Sequence, residues 1–177
     1  MSIAFDHNAR DGRYPTAKKY LPDFIYGAND GVVTTLAVIS GVVGASLSTT
    51  VILILGFANL LADGLSMGAS NVLSRRSTQQ LPPLKEAAKH GVATFVGFLA
   101  AGVVPLLAYL LPWFGVGRFA TAVFLGLLTL FVVGASRALF TARWWLSAGL
   151  EMLAIGALAA AAAYGIGALG AMLVGSN

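Results

Sequence analysis

Residues Leu53–Ser74 read LILGFANLLADGLSMGASNVLS, an apolar helix with polar groups set into one side. At 3.6 residues per turn, Asn59, Asp63, Met67 and Asn71 stand at successive i, i+4 positions and form one narrow stripe. Leu53, Leu60, Leu61 and Leu65 occupy the remaining surface, which suits lipid or a packed neighbour, and Gly56, Gly64 and Gly68 admit close helix contact. A charged side chain at the centre of a spanning helix costs about 3 kcal/mol on insertion scales, so Asp63 is a functional-site candidate.

Composition sets the class. Of 177 residues, 58% are hydrophobic and 10% charged, with a mean hydropathy of +0.82; a water-soluble domain of this size needs far more charge on its surface. The chain reads as an all-α integral membrane protein. With no cysteine, disulfides and thiolate metal sites are excluded, and any metal must use oxygen, nitrogen or thioether ligands. The net charge of +4 does not indicate nucleic acid, because the basic residues flank apolar segments, where membrane topology accounts for them.

Residues 1–22 form a polar arm carrying Arg10, Arg13, Lys18 and Lys19, expected to lie in the cytoplasm, and Pro22-Asp23 looks like a helix start. Residues 23–177 are expected to make a five-helix membrane domain with spans at about 24–45, 50–73, 90–111, 118–140 and 144–174. Gly44 to Thr50 is a tight polar turn, Pro82-Pro83 interrupts the link after span two, and Pro105 is expected to kink span three. Trp113, Trp144 and Trp145 stand where an aromatic belt would be, and span five is rich in Ala and Gly. GASNVL at 68–73 echoes GASRAL at 134–139, a pattern compatible with an internal repeat.

Asp30 lies roughly 9 Å inside the start of span one, Met67 roughly 10 Å from the same side on span two, Asp63 one turn deeper, and Glu151 at a similar level in span five. Convergence of these groups would make a divalent-cation site: carboxylates suit hard cations, and one thioether tilts the preference toward Fe²⁺ or Mn²⁺. Asn59 and Thr34 are weaker candidates. On span one, Asp30, Thr34, Ala37, Gly41 and Gly44 share a small-residue face, which suggests a homodimer packed through it.

Plainer roles stand beside these. Asp30 could complement the helix dipole, Asp63 could be a neutral buried acid, and Met67 could be packing. Glu151 could pair with Arg137 or Arg143, Asn59 and Asn71 read best as interhelical hydrogen bonds, and His7 and His90, in or beside polar segments, read as solvated.

GANDGVVTTLAVISGVVGAS at 27–46 and GFANLLADGLSMGASNVLS at 56–74 resemble the vacuolar iron transporter family, with Asp30-Gly31 and Ser66-Met67-Gly68 the most specific parts and SAGLEMLAIG at 147–156 weaker support. The resemblance covers about residues 24–174. It implies a homodimer of five-span subunits that exports Fe²⁺ or Mn²⁺ from the cytoplasm by exchange with protons. It also implies that Asp30 and Met67 face the path at the dimer interface. The chain departs from the iron-transporting eukaryotic members in two ways: the link between spans two and three has one acid, Glu86, where they carry a Glu-rich metal-binding domain, and Asn59 stands where they have a glutamate. This short form looks closer to bacterial and nodulin-like members, so a bacterial inner membrane is the expected location.

A non-transporting assembly subunit, its acids only fixing helix packing, is the alternative reading; an enzyme is not expected, since no Ser/His, Cys/His or HExxH arrangement occurs. No resident cofactor is implied; metal ions, protons and the lipid bilayer are the expected partners. Ten of the eleven Lys and Arg fall on one side of the five-span arrangement and only Arg118 on the other, which predicts a cytoplasmic amino terminus. A reporter fused after Asn177 should therefore be extracytoplasmic and one inserted within residues 77–84 cytoplasmic; both reporting from one side would refute the arrangement.

Overall fold

The structure, a computed structural model, describes residues 16–78, 81–111, 113, 117–139 and 144–175. His7, Arg10, Arg13 and Arg143 lie outside the described residues. Five helices follow in order: α1 Thr16–Gly44, α2 Thr49–Arg76, α3 Leu84–Leu110, α4 Arg118–Ser136 and, after a single 3₁₀ turn at Arg137–Leu139, α5 Trp145–Gly175. Each is long and apolar enough to cross a membrane. Even α4, with 19 residues, reaches about 28 Å at 1.5 Å per residue, close to the hydrocarbon thickness. The protein is an all-helical integral membrane protein.

Prolines bound these helices less than the sequence suggests. α1 begins at Thr16, a full turn and more before Pro22, so the helix carries that proline inside it, without one backbone hydrogen bond and with its ring against the carbonyl four residues back. Asp23 is accordingly inside the helix. Pro83 takes the N-cap position of α3, which therefore starts at Leu84 within the polar link, and α3 continues through the buried Pro105. The α1–α2 turn is closed by Leu47 N donating to Val42 O at 3.0 Å and Ser46 N to Val43 O at 2.9 Å, with Ser46 at φ 57°. This is the Schellman pattern, with serine holding the left-handed position that glycine usually takes.

The helix at the centre of the bundle is α1, which packs against all four others and most extensively against α3. Its buried face runs through Ile25, Ala28, Val32, Leu36 and Ile39. α1 and α3 lie parallel and nearly backbone to backbone. A Cβ on Gly27 would strike the Thr94 carbonyl, one on Gly31 the Phe98 carbonyl, and one on Gly97 the Phe24 carbonyl. Against α3, α2 runs antiparallel, with Gly68 and Gly91 facing each other, and α5 runs antiparallel to α4.

The small-residue face of α1 is used differently from the expectation. Gly44 lies against the Tyr164 carbonyl and Gly41 against the backbone of Ala163 and Gly167, so these two glycines seat α5 of the same chain and are not free to seat a second copy. Packing within one chain takes them because α5, rich in Ala and Gly, brings an equally small surface to the contact. Outward-facing large apolar side chains, among them Leu61, Leu65, Phe124, Leu158 and Ile166, give the bundle a lipid-compatible exterior.

The α1–α3 seam yields a direct test. Gly31→Ala should destabilise the detergent-solubilised protein by about 1–3 kcal/mol, the usual cost of overpacking, since backbone rather than a flexible side chain meets the added methyl. Gly170→Ala, where nothing lies within 4 Å, should leave the thermal midpoint unchanged or slightly raised. Equal midpoints for the two variants would contradict the seam.

Candidate metal path

Asp30 on α1 and Asp63 on α2 are both half-buried and close enough for their charges to act on one another. The Thr34 hydroxyl turns back on its own helix, donating to the Asp30 carbonyl at 2.8 Å and to the Gly31 carbonyl at 3.3 Å, so its proton is committed to the backbone. Asp30, Val33, Thr34 and Ala37 together form a half-exposed strip down α1 that the other helices leave partly uncovered.

Met67 is half-buried one turn from Asp63; it packs against the buried apolar cluster that includes Leu60 and Phe98 and also lines a cavity of about 380 Å³ with Tyr26, Ser70, Asn71, Ser74 and Arg75. Asn59, one turn to the other side of Asp63, has a buried Nδ2 with no hydrogen-bond partner, and Asn29 Oδ1 beside Asp30 is likewise buried and unpaired. Such orphaned amide atoms cost about 1–3 kcal/mol each, and here one adjoins Asp30 in sequence and the other stands one turn from Asp63. Asn29 escaped the sequence reading although the signal was present, an amide adjoining the aspartate in GANDG.

Glu151 belongs to a third helix. It is exposed on α5, which packs on α1 and α4. Among the described residues, no three of His, Cys, Asp and Glu are placed to share one metal ion.

At the end of the bundle where α1 begins lies a polar cluster that the sequence reading did not assemble. Asp23, 8% exposed, is its hub. Its Oδ1 accepts from Asn71 Nδ2 at 2.8 Å and from an Arg75 terminal nitrogen at 2.9 Å, and its Oδ2 lies 3.2 Å from the same nitrogen and 2.6 Å from His90 Nδ1. Asn71 Nδ2 also donates to Thr94 Oγ1 at 2.7 Å, and Asn71 Oδ1 accepts from Arg75 Nε at 3.0 Å. The cluster ties α1, α2 and α3 together with one shared carboxylate.

His90 is buried, with 5% exposure, contrary to its reading as solvated. Since α3 starts at Leu84, position 90 is almost two turns into the helix and faces the Asp23 carboxylate and the edge of the Tyr20 ring, 4.7 Å between centroids. Asn71 takes the interhelical role its place in the stripe suggested. Around the cluster runs a second ring of charge, in which Glu86 accepts from Tyr20 at 3.0 Å and pairs with Lys19 at 2.8 Å and Lys89 at 3.4 Å.

The sequence was compared with known families and proteins. A model of the VIT family matches residues 21–82 and 79–168. The chain is similar to the vacuolar iron transporter of Toxoplasma gondii, 24% identical over 97% of this chain and 80% of that protein. It is also similar to vacuolar iron transporter 1 of Arabidopsis thaliana, 22% identical over 90% of this chain and 88% of that protein. A shorter match, 41% identical over 36% of this chain and 23% of that protein, is to the vacuolar iron transporter of Plasmodium berghei.

The cluster predicts a position-specific loss of stability. Asn71→Ala removes an amide with three polar partners and should cost about 1–3 kcal/mol in a thermal or denaturant assay in detergent, whereas Ser66→Ala, exposed on the same helix, should cost nothing measurable.

Proposed function

The chain belongs to the VIT family, and on that premise we propose that it exports Fe²⁺ or Mn²⁺ from the cytoplasm in exchange for protons. The observation that carries this reading is the placement of Asp30 and Asp63 on adjacent helices of an apolar bundle, within range of each other's charge, with Met67 one turn from Asp63. Two carboxylates within such range in apolar surroundings repel unless positive charge joins them. A divalent cation relieves the repulsion, and so do protons. Occupation by one excludes the other, which is the elementary condition for exchange.

Met67 offers a soft thioether beside hard oxygens, a combination that favours Fe²⁺ and Mn²⁺ over Mg²⁺ and Ca²⁺. Of Asp30 and Asp63, Asp30 is the one a cation from the cytoplasm would meet first if the charge asymmetry orients the protein as proposed. The open strip of Asp30, Val33, Thr34 and Ala37 supports a homodimer in which a second copy closes the path and brings its own carboxylates to complete the ligand set. Glu151, outside the Asp30–Asp63 pair, would then act as an accessory acid near the cytoplasmic mouth.

Reconstituted vesicles loaded with a pH indicator test the reading through uptake of Fe²⁺ and Mn²⁺ with simultaneous proton movement. Asp63→Asn should lower transport about tenfold, the equivalent of about 1.4 kcal/mol, and weaken its pH dependence. Met67→Leu should change the Fe²⁺ to Mn²⁺ ratio with the pH dependence kept, and Asp30→Asn should reduce transport at every pH. A parent protein that moves neither cation refutes the transporter reading; an Asp63→Asn variant indistinguishable from the parent makes that acid structural.

A further inference from the structure

We propose that His90, held by Asp23, is a proton-binding site of the exchange, set apart from the metal path and linked to it by charge. The proposal rests on the transporter reading above and deepens it. Imidazole is the side chain whose protonation ordinarily changes between pH 5 and 8. Here it is buried where each charge matters: its Nδ1 is 2.6 Å from Asp23 Oδ2, and the same carboxylate already binds the Arg75 guanidinium at 2.9 Å.

The charge count shows what a proton does there. The groups facing His90 are Asp23 and Tyr20 from α1 and Arg75 from α2, with Lys19, Glu86 and Lys89 in the outer ring. With a neutral imidazole, Asp23 and Arg75 cancel. With an imidazolium, two cations share one carboxylate, and the inner cluster carries a net positive charge at the edge of an apolar bundle. That state is sensitive to any further cation nearby.

Two cavities place the site. One of about 510 Å³, bounded by Lys19, Arg75, Thr78, Pro82, Glu86 and His90, opens toward the polar link and gives the imidazole a route to water. The other, of about 380 Å³, reaches from Arg75 and Asn71 to Met67. Arg75 borders both cavities, and both Arg75 and Asn71 hold the Asp23 carboxylate. A divalent cation arriving at Met67 therefore enters the field of the Asp23 cluster. It opposes the proton on His90, and the proton opposes its entry, by Coulomb repulsion in a poorly screened setting.

The chain has two histidines, so His7→Gln leaves His90 as a single imidazole reporter in the full-length protein. In lipid nanodiscs, its ring C–H resonances should change with pH across the range in which Mn²⁺ uptake depends on pH; one unchanged state throughout that range overturns the proposal. In vesicles, His90→Gln, which keeps an N–H to offer Asp23, should reduce the pH dependence of Mn²⁺ uptake, and combined with Asp63→Asn should leave a rate that changes less than about twofold between pH 6 and 7.5. Asp23→Asn, similar in shape but uncharged, should alter the profile in the same direction. A His90→Gln variant with the parent's pH profile overturns the proposal. If the parent moves neither Fe²⁺ nor Mn²⁺, the transporter reading falls and the coupling role of His90 falls with it, whatever the imidazole titration shows.

Discussion

The structure depends on the approach of two backbones, α1 and α3, through glycine. With no side chain at Gly27, Gly31 and Gly97, carbonyl oxygens of one helix lie where the other helix would carry a Cβ. In a membrane there is little hydrophobic gain in joining one apolar helix to another, so contact area and short-range dispersion must supply the attraction, and glycine maximises both. The seam puts α1 at the centre of the bundle, and α1 carries both Asp23 and Asp30. Where these two acids sit follows from it.

A second constraint is polar satisfaction. A buried carboxylate is tolerable when its lone pairs are filled, and Asp23 meets that condition with Asn71, Arg75 and His90 drawn from two other helices. Among the described residues, Asp30 and Asp63 have no such set of partners; each lies in the field of the other, with orphaned amide atoms on Asn29, adjoining Asp30, and on Asn59, one turn from Asp63. The contrast separates a carboxylate whose lone pairs the fold fills from two that it leaves open.

Much of this was legible in the chain. The stripe of Asn59, Asp63, Met67 and Asn71 is a consequence of helical period, and its members divide: Asn71 bridges helices through Asp23 and Thr94, while Asp63 lies half-buried in the field of Asp30. What the stripe could not show was which neighbours it faces. Asp23 read as a helix start because Pro22 precedes it, yet α1 begins at Thr16 and carries the proline inside it. His90 read as solvated because it adjoins Lys89, whereas the helix begun at Pro83 turns that position inward.

The amino-acid sequence by itself determined the class of the molecule, the existence of five spans and the presence of acids too costly to be incidental, because hydropathy, helical period and charge are local properties. Tertiary structure alone decided which helix is central, that Gly41 and Gly44 seat α5 of the same chain, and that Asp23 and His90 lie within hydrogen-bond distance. The physical reason is that glycine and alanine admit close contact without naming the partner. The partner emerges only when all five helices compete for the same small surfaces at once.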